Sequence, residues 1–424
     1  MRTITTWLSI ILIFTIPFKE AIAIPGIGSV SLIVGALVIP LWLFTVLATG
    51  KIRKPSPFVI SAIVFFLWNF ASLIWTLEGD KTMDRAMAFI RMAFLVWFIW
   101  DLFTTRAGVL RGFQAYILGA WVSIGSIIFN FINGVEAYRN ANGRVSASGF
   151  DTNEIGLILA MGMPIAWYLI IAKDYKPHSA TILRYINYAY IPATLFAIFL
   201  TASRGSLIAT FPALLFVIGT FNRLGRFQRI IIGIMIVAAL FVLQGYIPES
   251  SLERISTTGQ ELSSSDLNGR TDIWRDGFDI FADHIFLGTG AGTFRAVIES
   301  GKAPHNTALA LLADLGIIGF LLFGLTVAFC AVNVLHAERE EGRMWISFLL
   351  IWFLGSMVSN WEHKNLTWLL FSMIGASTNL PATAGAIRDS AQRAVPPILL
   401  RQTPRRQTLR RPSLDHQSLR GVSQ

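Results

Sequence analysis

The chain has 424 residues, 54% of them hydrophobic and 14% charged, with 13 Trp and 32 Phe, more apolar mass than one soluble core of this length needs. Its formal charge of +10 would suggest nucleic acid in a soluble protein, but eight Arg and two Asp from Arg388 onward contribute +6 of it. That stretch has no apolar periodicity and no aromatic interleaving, so nucleic acid is not an expected partner.

In chain order, apolar runs of about 20 residues are long enough to cross roughly 30 Å of hydrocarbon as helices. They fall near 5–23, 28–49, 57–76, 85–103, 112–132, 153–172, 185–202, 205–221, 229–247, 306–335, 344–360 and 365–380. The expected fold class is therefore all-α: a polytopic transmembrane helix bundle of about twelve spans, with no second domain and no fixed-period repeat. The bundle is expected over 1–387, including an external loop at 248–305, and residues 388–424 read as a basic, disordered cytoplasmic tail drawn to anionic lipid. Arg2 and Ala21-Ile22-Ala23 resemble a signal peptide, but Lys19 and Glu20 interrupt that pattern and favour an uncleaved first helix. Cys330, the single cysteine, sits in an apolar run and reads as a buried hydrophobe.

Orientation follows from Lys and Arg in alternate connections. Lys51, Arg53 and Lys54; Arg106 and Arg111; Lys173, Lys176 and Arg184; Arg223, Arg226 and Arg229; and Arg339 and Arg343 form a cytoplasmic set. Both termini are then cytoplasmic, and the remaining connections face the periplasm of a bacterial inner membrane.

The 248–305 loop is the one long polar interval, where chemistry on polar groups would be held. From Gly269 it carries Trp274, Phe278, Phe281 and Ile285 at spacings of four, three and four, with acidic residues and Arg275 between them. That pattern predicts an amphipathic helix lying on the membrane surface through those four side chains.

Three stretches carry residues unusual for their position. In Thr201-Ala-Ser203-Arg204-Gly205-Ser206 one apolar run ends and the next begins, which places Arg204 at a helix N-terminus, where free amides attract anions. A lone boundary Arg commonly only snorkels, but Ser203 and Gly205 add a hydroxyl and close backbone approach, as a phosphate cradle needs. Asn268-Gly269-Arg270-Thr271 repeats the arrangement, and two such sites neutralise a diphosphate better than one. His305-Asn306 lies where the loop re-enters the membrane, at the positive end of the next helix, where neutral imidazole is favoured as a base. His284 and His363 are its external competitors. Gly288-Thr-Gly290-Ala-Gly292 lacks a strand-turn-helix context for nucleotide binding and reads as a tight turn passing beneath the surface helix. Glu78-Gly79-Asp80 could suit a metal, but no His, Cys or carboxylate cluster supports one, and no metal or cofactor is expected.

Thr201-Ala-Ser-Arg204-Gly205, Gly269-Arg270 with Trp274, Gly288-x-Gly-x-Gly292-x-Phe294, and His305-Asn306 followed by Leu309, Leu312, Leu315-Gly316 and Gly319-Phe320 together resemble the O-antigen ligase and Wzy-type polymerase superfamily. Phe150-Asp151-x-Asn153 is similar to its upstream segment. Two departures are Ile285, where Pro is common after the His, and Asp314, where Glu is usual before Leu-Gly. The resemblance implies an inverting glycosyltransferase that moves a glycan from a polyprenyl diphosphate carrier to a lipid- or glycan-borne hydroxyl. His305 would be the base, Arg204 and Arg270 would hold the diphosphate, and Ser203, Gly205, Asn306 and Arg144 would support them, with Arg139 beside Arg144. Acting without metal, it would serve as O-antigen ligase in lipopolysaccharide assembly or as a polymerase of O-antigen or exopolysaccharide units. A glycolipid flippase would instead need internal repeats and polar residues along its spans, which the sequence does not suggest. Oligomeric state is not legible.

Overall fold

Six of the described helices begin where a side-chain oxygen caps them. The side chains of Ser29, Ser56, Thr105, Asp151, Ser203 and Asn306 each accept a hydrogen bond from a backbone N–H in the first turn of the helix that follows. In the computed structural model, which describes residues 1–24, 28–138, 143–172, 175, 180–246 and 270–380, the helices are α1 (Arg2–Thr15), α2 (Val30–Thr49), α3 (Pro57–Ala71), α4 (Gly79–Leu102), α5 (Arg106–Ile132), α6 (Thr152–Ile171), α7 (Ala180–Thr201), α8 (Arg204–Ala209), α9 (Phe211–Thr220), α10 (Arg226–Tyr246), α11 (Arg270–Asp283), α12 (Phe294–Val297), α13 (Thr307–Leu335), α14 (Arg339–Ser356) and α15 (Asn365–Thr378). A two-residue antiparallel pair, β1 (Ala23–Ile24) with β2 (Gly28–Ser29), is the only sheet among the described residues. Arg139, the 247–269 part of the loop and the basic tail lie outside the described residues.

Each apolar run contains a helix, but among the described residues seven helices are long and apolar enough to cross a membrane, against about twelve expected from the sequence. Met1–Leu380 is one compact unit. Its axis is α6, with 89% of its apolar window buried, whereas only 22% of α2 is buried and that helix lies at the periphery. Gly156 and Gly162 let α6 approach its neighbours closely: a Cβ on either would sit within 2.5 Å of Ser206 Oγ or Tyr190 Oη.

The unit has two polar ends. At one, Asp101 accepts from Trp42 Nε1–H at 3.0 Å and from the Arg53 backbone N–H at 2.7 Å, and pairs with Arg2 at 3.1 Å. Arg106 pairs with buried Glu341 at 2.5 Å and Arg223 with Glu340 at 2.9 Å. The basic connections of Arg106, Arg223 and Arg343, grouped by alternation, therefore meet in space. The other end gathers α11, α12 and the starts of α4, α6, α8, α13 and α15.

The surface helix forms where expected and also packs on the protein. Ile273 and Gly277 are its buried positions, packed with Phe294, Ile298, Leu309 and Ala313, so its inward face docks on α13. Phe278 and Ile285, expected to meet the membrane surface with Trp274 and Phe281, lie off this docked face and are 55% and 46% exposed. Gly277 decides this, because the missing side chain admits Leu309 and Phe294 to the helix backbone.

Candidate active site at the polar end of the bundle

The base of the site is a break in α13. Gly316 adopts φ 66°, ψ −172°, which only glycine accepts readily, and interrupts the helical hydrogen bonds. The 285–294 segment takes their place: Thr289 and Gly290 N–H donate to the carbonyls of Ala313 and Asp314, and Ile317 N–H donates to Ile285. Asp314, although it lies within a span, is fully engaged, its carboxylate accepting the N–H groups of Gly292 at 2.9 Å and Phe294 at 2.8 Å. The glycine run thus fits against this break, with Gly290 on Thr76 and Gly292 on Arg85, rather than beneath the surface helix, against which Phe294 and Ile298 beyond the run pack.

Above this platform lies a cavity of about 360 Å³ whose walls include Asp151, Arg295, His305, Asp314, Glu362 and His363. His305 is held from both sides. Pro304 accepts the Trp274 indole N–H at 2.9 Å, which ties the surface helix to the histidine. Asn306 caps α13 through Leu309 N–H at 3.1 Å and donates its own N–H to Asn360 Oδ1 at 3.1 Å. The Thr307 hydroxyl donates to the Ser359 carbonyl and accepts Trp361 N–H, both at 2.9 Å. His305 itself has φ 48°, and Ala202, beside Arg204, has φ 45°; they are the two non-glycine residues with positive φ among the described residues. Strain of this kind persists where surrounding contacts over-determine it, and it concentrates at functional positions.

Burial lowers the His305 pKa below the ordinary histidine value, and the Arg270 and Arg295 cations reinforce this against the opposing Asp151 carboxylate. Burial likewise lowers Arg270, with Asp151 opposing. These shifts put His305, Arg270 and Asp151 in one electrostatic neighbourhood. Arg270 is the first residue of α11 and Arg204 the first of α8. The α8 start joins the site through α6. Ser203 Oγ–H donates to Asn153 Oδ1 at 2.9 Å, two residues beyond the Asp151 cap. Arg144 binds the same Asn153 oxygen at 2.8 Å and the Thr201 carbonyl at 2.9 Å, so two of its donors latch its loop to α6 and α7. Gly205 lets α8 approach Val358, whose Cγ2 would lie 3.1 Å from an added Cβ.

The opposite wall is a cluster of which sequence reading marked only His363. Arg85 lies 3.7 Å from Glu362, Glu362 lies 2.7 Å from His363 Nδ1, and Lys364 pairs with Glu154 at 2.7 Å. Burial opposes ionisation of Glu362, but His363 and Arg85 hold its pKa below the usual value; burial, Arg85 and Lys364 lower His363 against Glu362. Arg85, the first residue of an apolar run, was the available signal. Of the two competing histidines, His363 lines the cavity, whereas His284 is exposed and faces its own helix, Nδ1 lying 3.3 Å from the Ile280 carbonyl. Among the described residues no three His, Cys, Asp or Glu side chains are grouped to hold a metal. Glu78 is closer to the site than its position in sequence suggests, since Leu77 N–H donates to Thr289 at 2.9 Å.

No curated protein matches the chain. Residues 189–324, which contain Arg204, Arg270, His305 and the α13 break but not Asp151 or Glu362, match the family model described as O-antigen ligase, and this supports placing the chain, a multi-pass membrane protein, in the O-antigen ligase superfamily.

Proposed function

We propose that the chain is an inverting membrane glycosyltransferase that moves a glycan from a polyprenyl diphosphate carrier to an acceptor hydroxyl, as an O-antigen ligase. The observation that carries this is His305, held with its pKa lowered beside Arg270, on a cavity wall within the family-matched segment. Neutral His305 takes the proton of the acceptor hydroxyl as that oxygen attacks the anomeric carbon. The carbon–oxygen bond to the carrier breaks, its electron pair leaves with the diphosphate, and Arg204 and Arg270 hold the charge that develops there. Attack opposite the leaving group inverts the anomeric centre. Asn306 and the Trp274–Pro304 bond orient His305; Ser203, Gly205 and Arg144 set the α8 start.

In this reading the helices form about twelve spans with both termini cytoplasmic, 388–424 is a cytoplasmic tail, and the cavity faces the periplasm of a bacterial inner membrane. The sidedness of the basic end supports it. Two guanidinium groups supply the permanent charge that a divalent ion would otherwise bring, so transfer proceeds without metal. The test is transfer by the purified chain from a polyprenyl diphosphate-linked glycan, in excess chelator, with the product linkage determined. Inverted product at full rate is expected. Retained configuration, or loss in chelator reversed by magnesium, would refute the mechanism. Repeat units joined to one another, with none reaching a separate acceptor, would make the enzyme a polymerase.

A further inference from the structure

A second cavity, of about 550 Å³, lies between α1, α2 and α4, within the size range of small-molecule sites. Its deep walls are apolar, with Leu12, Ile39 and Phe98, and small residues at Gly35 and Ala36 keep it open on the side of peripheral α2. Lys19, paired with Glu20 at 3.0 Å, stands at its polar mouth with His363 and Asn365. Arg91 points into it from α4, twelve residues and so about 18 Å of helix from the Gly79 end. Arg91 is exposed and makes no hydrogen bond or ion pair among the described residues, unlike Arg85 on the same helix. An unpaired guanidinium in an apolar groove of a membrane bundle calls for an anion, because lipid surroundings supply no water to solvate it.

His363 lines both this groove and the cavity that holds His305. Within that cavity the two histidines have different neighbours: His363 Nδ1 lies 2.7 Å from Glu362, which faces Arg85, whereas His305 is flanked by the Trp274–Pro304 and Asn306–Asn360 bonds. A chain seated in the groove therefore delivers its head group past His363, on the Glu362 and Arg85 side of the cavity.

We infer that the groove between α1, α2 and α4 binds the hydrocarbon chain of a phosphate-bearing lipid that carries the acceptor, with Arg91 on its phosphate. The inference rests on the transferase reading and adds to it a separate entry for the second substrate.

The test uses the full chain with Ala36→Trp, which fills the groove from an exposed position, and Arg91→Gln. Each should raise KM for a lipid-borne acceptor about tenfold or more, as loss of a charge-assisted contact does. KM for the donor, and kcat with a short water-soluble acceptor, should stay within about twofold of wild type, and Arg91→Lys should recover part of the loss. An unchanged acceptor KM, a donor KM that rises in step, or equal competition by phosphatidylglycerol would overturn the inference. Retention of a synthetic phosphorylated glycolipid, read by native mass spectrometry, separates the two readings. Loss of retention in Arg91→Gln, in a chain without transfer activity, would sustain the groove and remove the transferase. Equal retention by wild type and Arg91→Gln would remove the groove alone.

Discussion

The two polar ends of the bundle use similar residues in opposite ways. At the basic end the charges are closed into pairs: Asp101 serves Arg2, Arg53 and Trp42, and Glu341 serves Arg106. At the other end His305 and Arg270 line up beside Asp151 with no hydrogen bond or ion pair of their own among the described residues, and the space before His305 is a cavity. Closed pairs hold helices together, whereas hydrogen-bonding capacity left open beside a cavity is capacity for a ligand.

The sharpest way to break this contrast is His305→Ala. Loss of a general base should reduce transfer by about 10²- to 10⁴-fold, with membrane insertion and thermal stability near wild type. Normal transfer in purified protein would show the open end to be merely structural. Arg106→Ala should do the reverse. It leaves Glu341 buried without its cation, which costs on the order of 3 kcal/mol, so a melting temperature well below wild type is expected while folded enzyme keeps its turnover.

Smaller effects sharpen the roles within the site. Arg204→Lys and Arg270→Lys should each weaken donor affinity roughly 10- to 100-fold, because an ammonium group cannot reproduce a planar fork on a diphosphate. Unaltered donor affinity would mean that these arginines only begin α8 and α11. The pH profile gives a signed test. Because His305 acts unprotonated and its pKa is lowered, kcat/KM should hold down to a pH below the usual histidine value before falling. Arg270→Gln removes a lowering cation and should move that acid limb up; Asp151→Asn removes the opposing anion and should move it down. Shifts in the same direction would place the titration elsewhere. His284→Ala, on an exposed side chain turned to its own helix, should change transfer by less than about twofold.

Much of the site was legible as motifs but not as geometry. His305, Arg204 and Arg270 were marked by their places at helix starts, and the structure puts each at or beside one. Arg144 and Ser203 were read as ligand groups, and both are engaged inside the protein through Asn153. Glu362 passed unnoticed and His363 was marked only as a competitor of His305, since a Glu-His pair in a short connection carries no periodicity and gains meaning only when Arg85 arrives from α4.

Sequence alone determined the all-helical class, the apolar runs and the division of charged connections into a basic set and a polar set. Those properties are local: they depend on span length, capping residues and Lys or Arg count, which a chain carries whether or not it folds. Tertiary structure alone decided which face of the surface helix is buried, that α13 breaks at Gly316, and that Asp151 shares a field with His305 and Arg270. Each depends on a partner far along the chain. Leu309 and Phe294 meet the bare Gly277, the 285–294 backbone satisfies carbonyls that a continuous helix would have kept, and α6 brings its cap to a loop more than a hundred residues later. Such pairings arise from packing, and no spacing within a single segment encodes them.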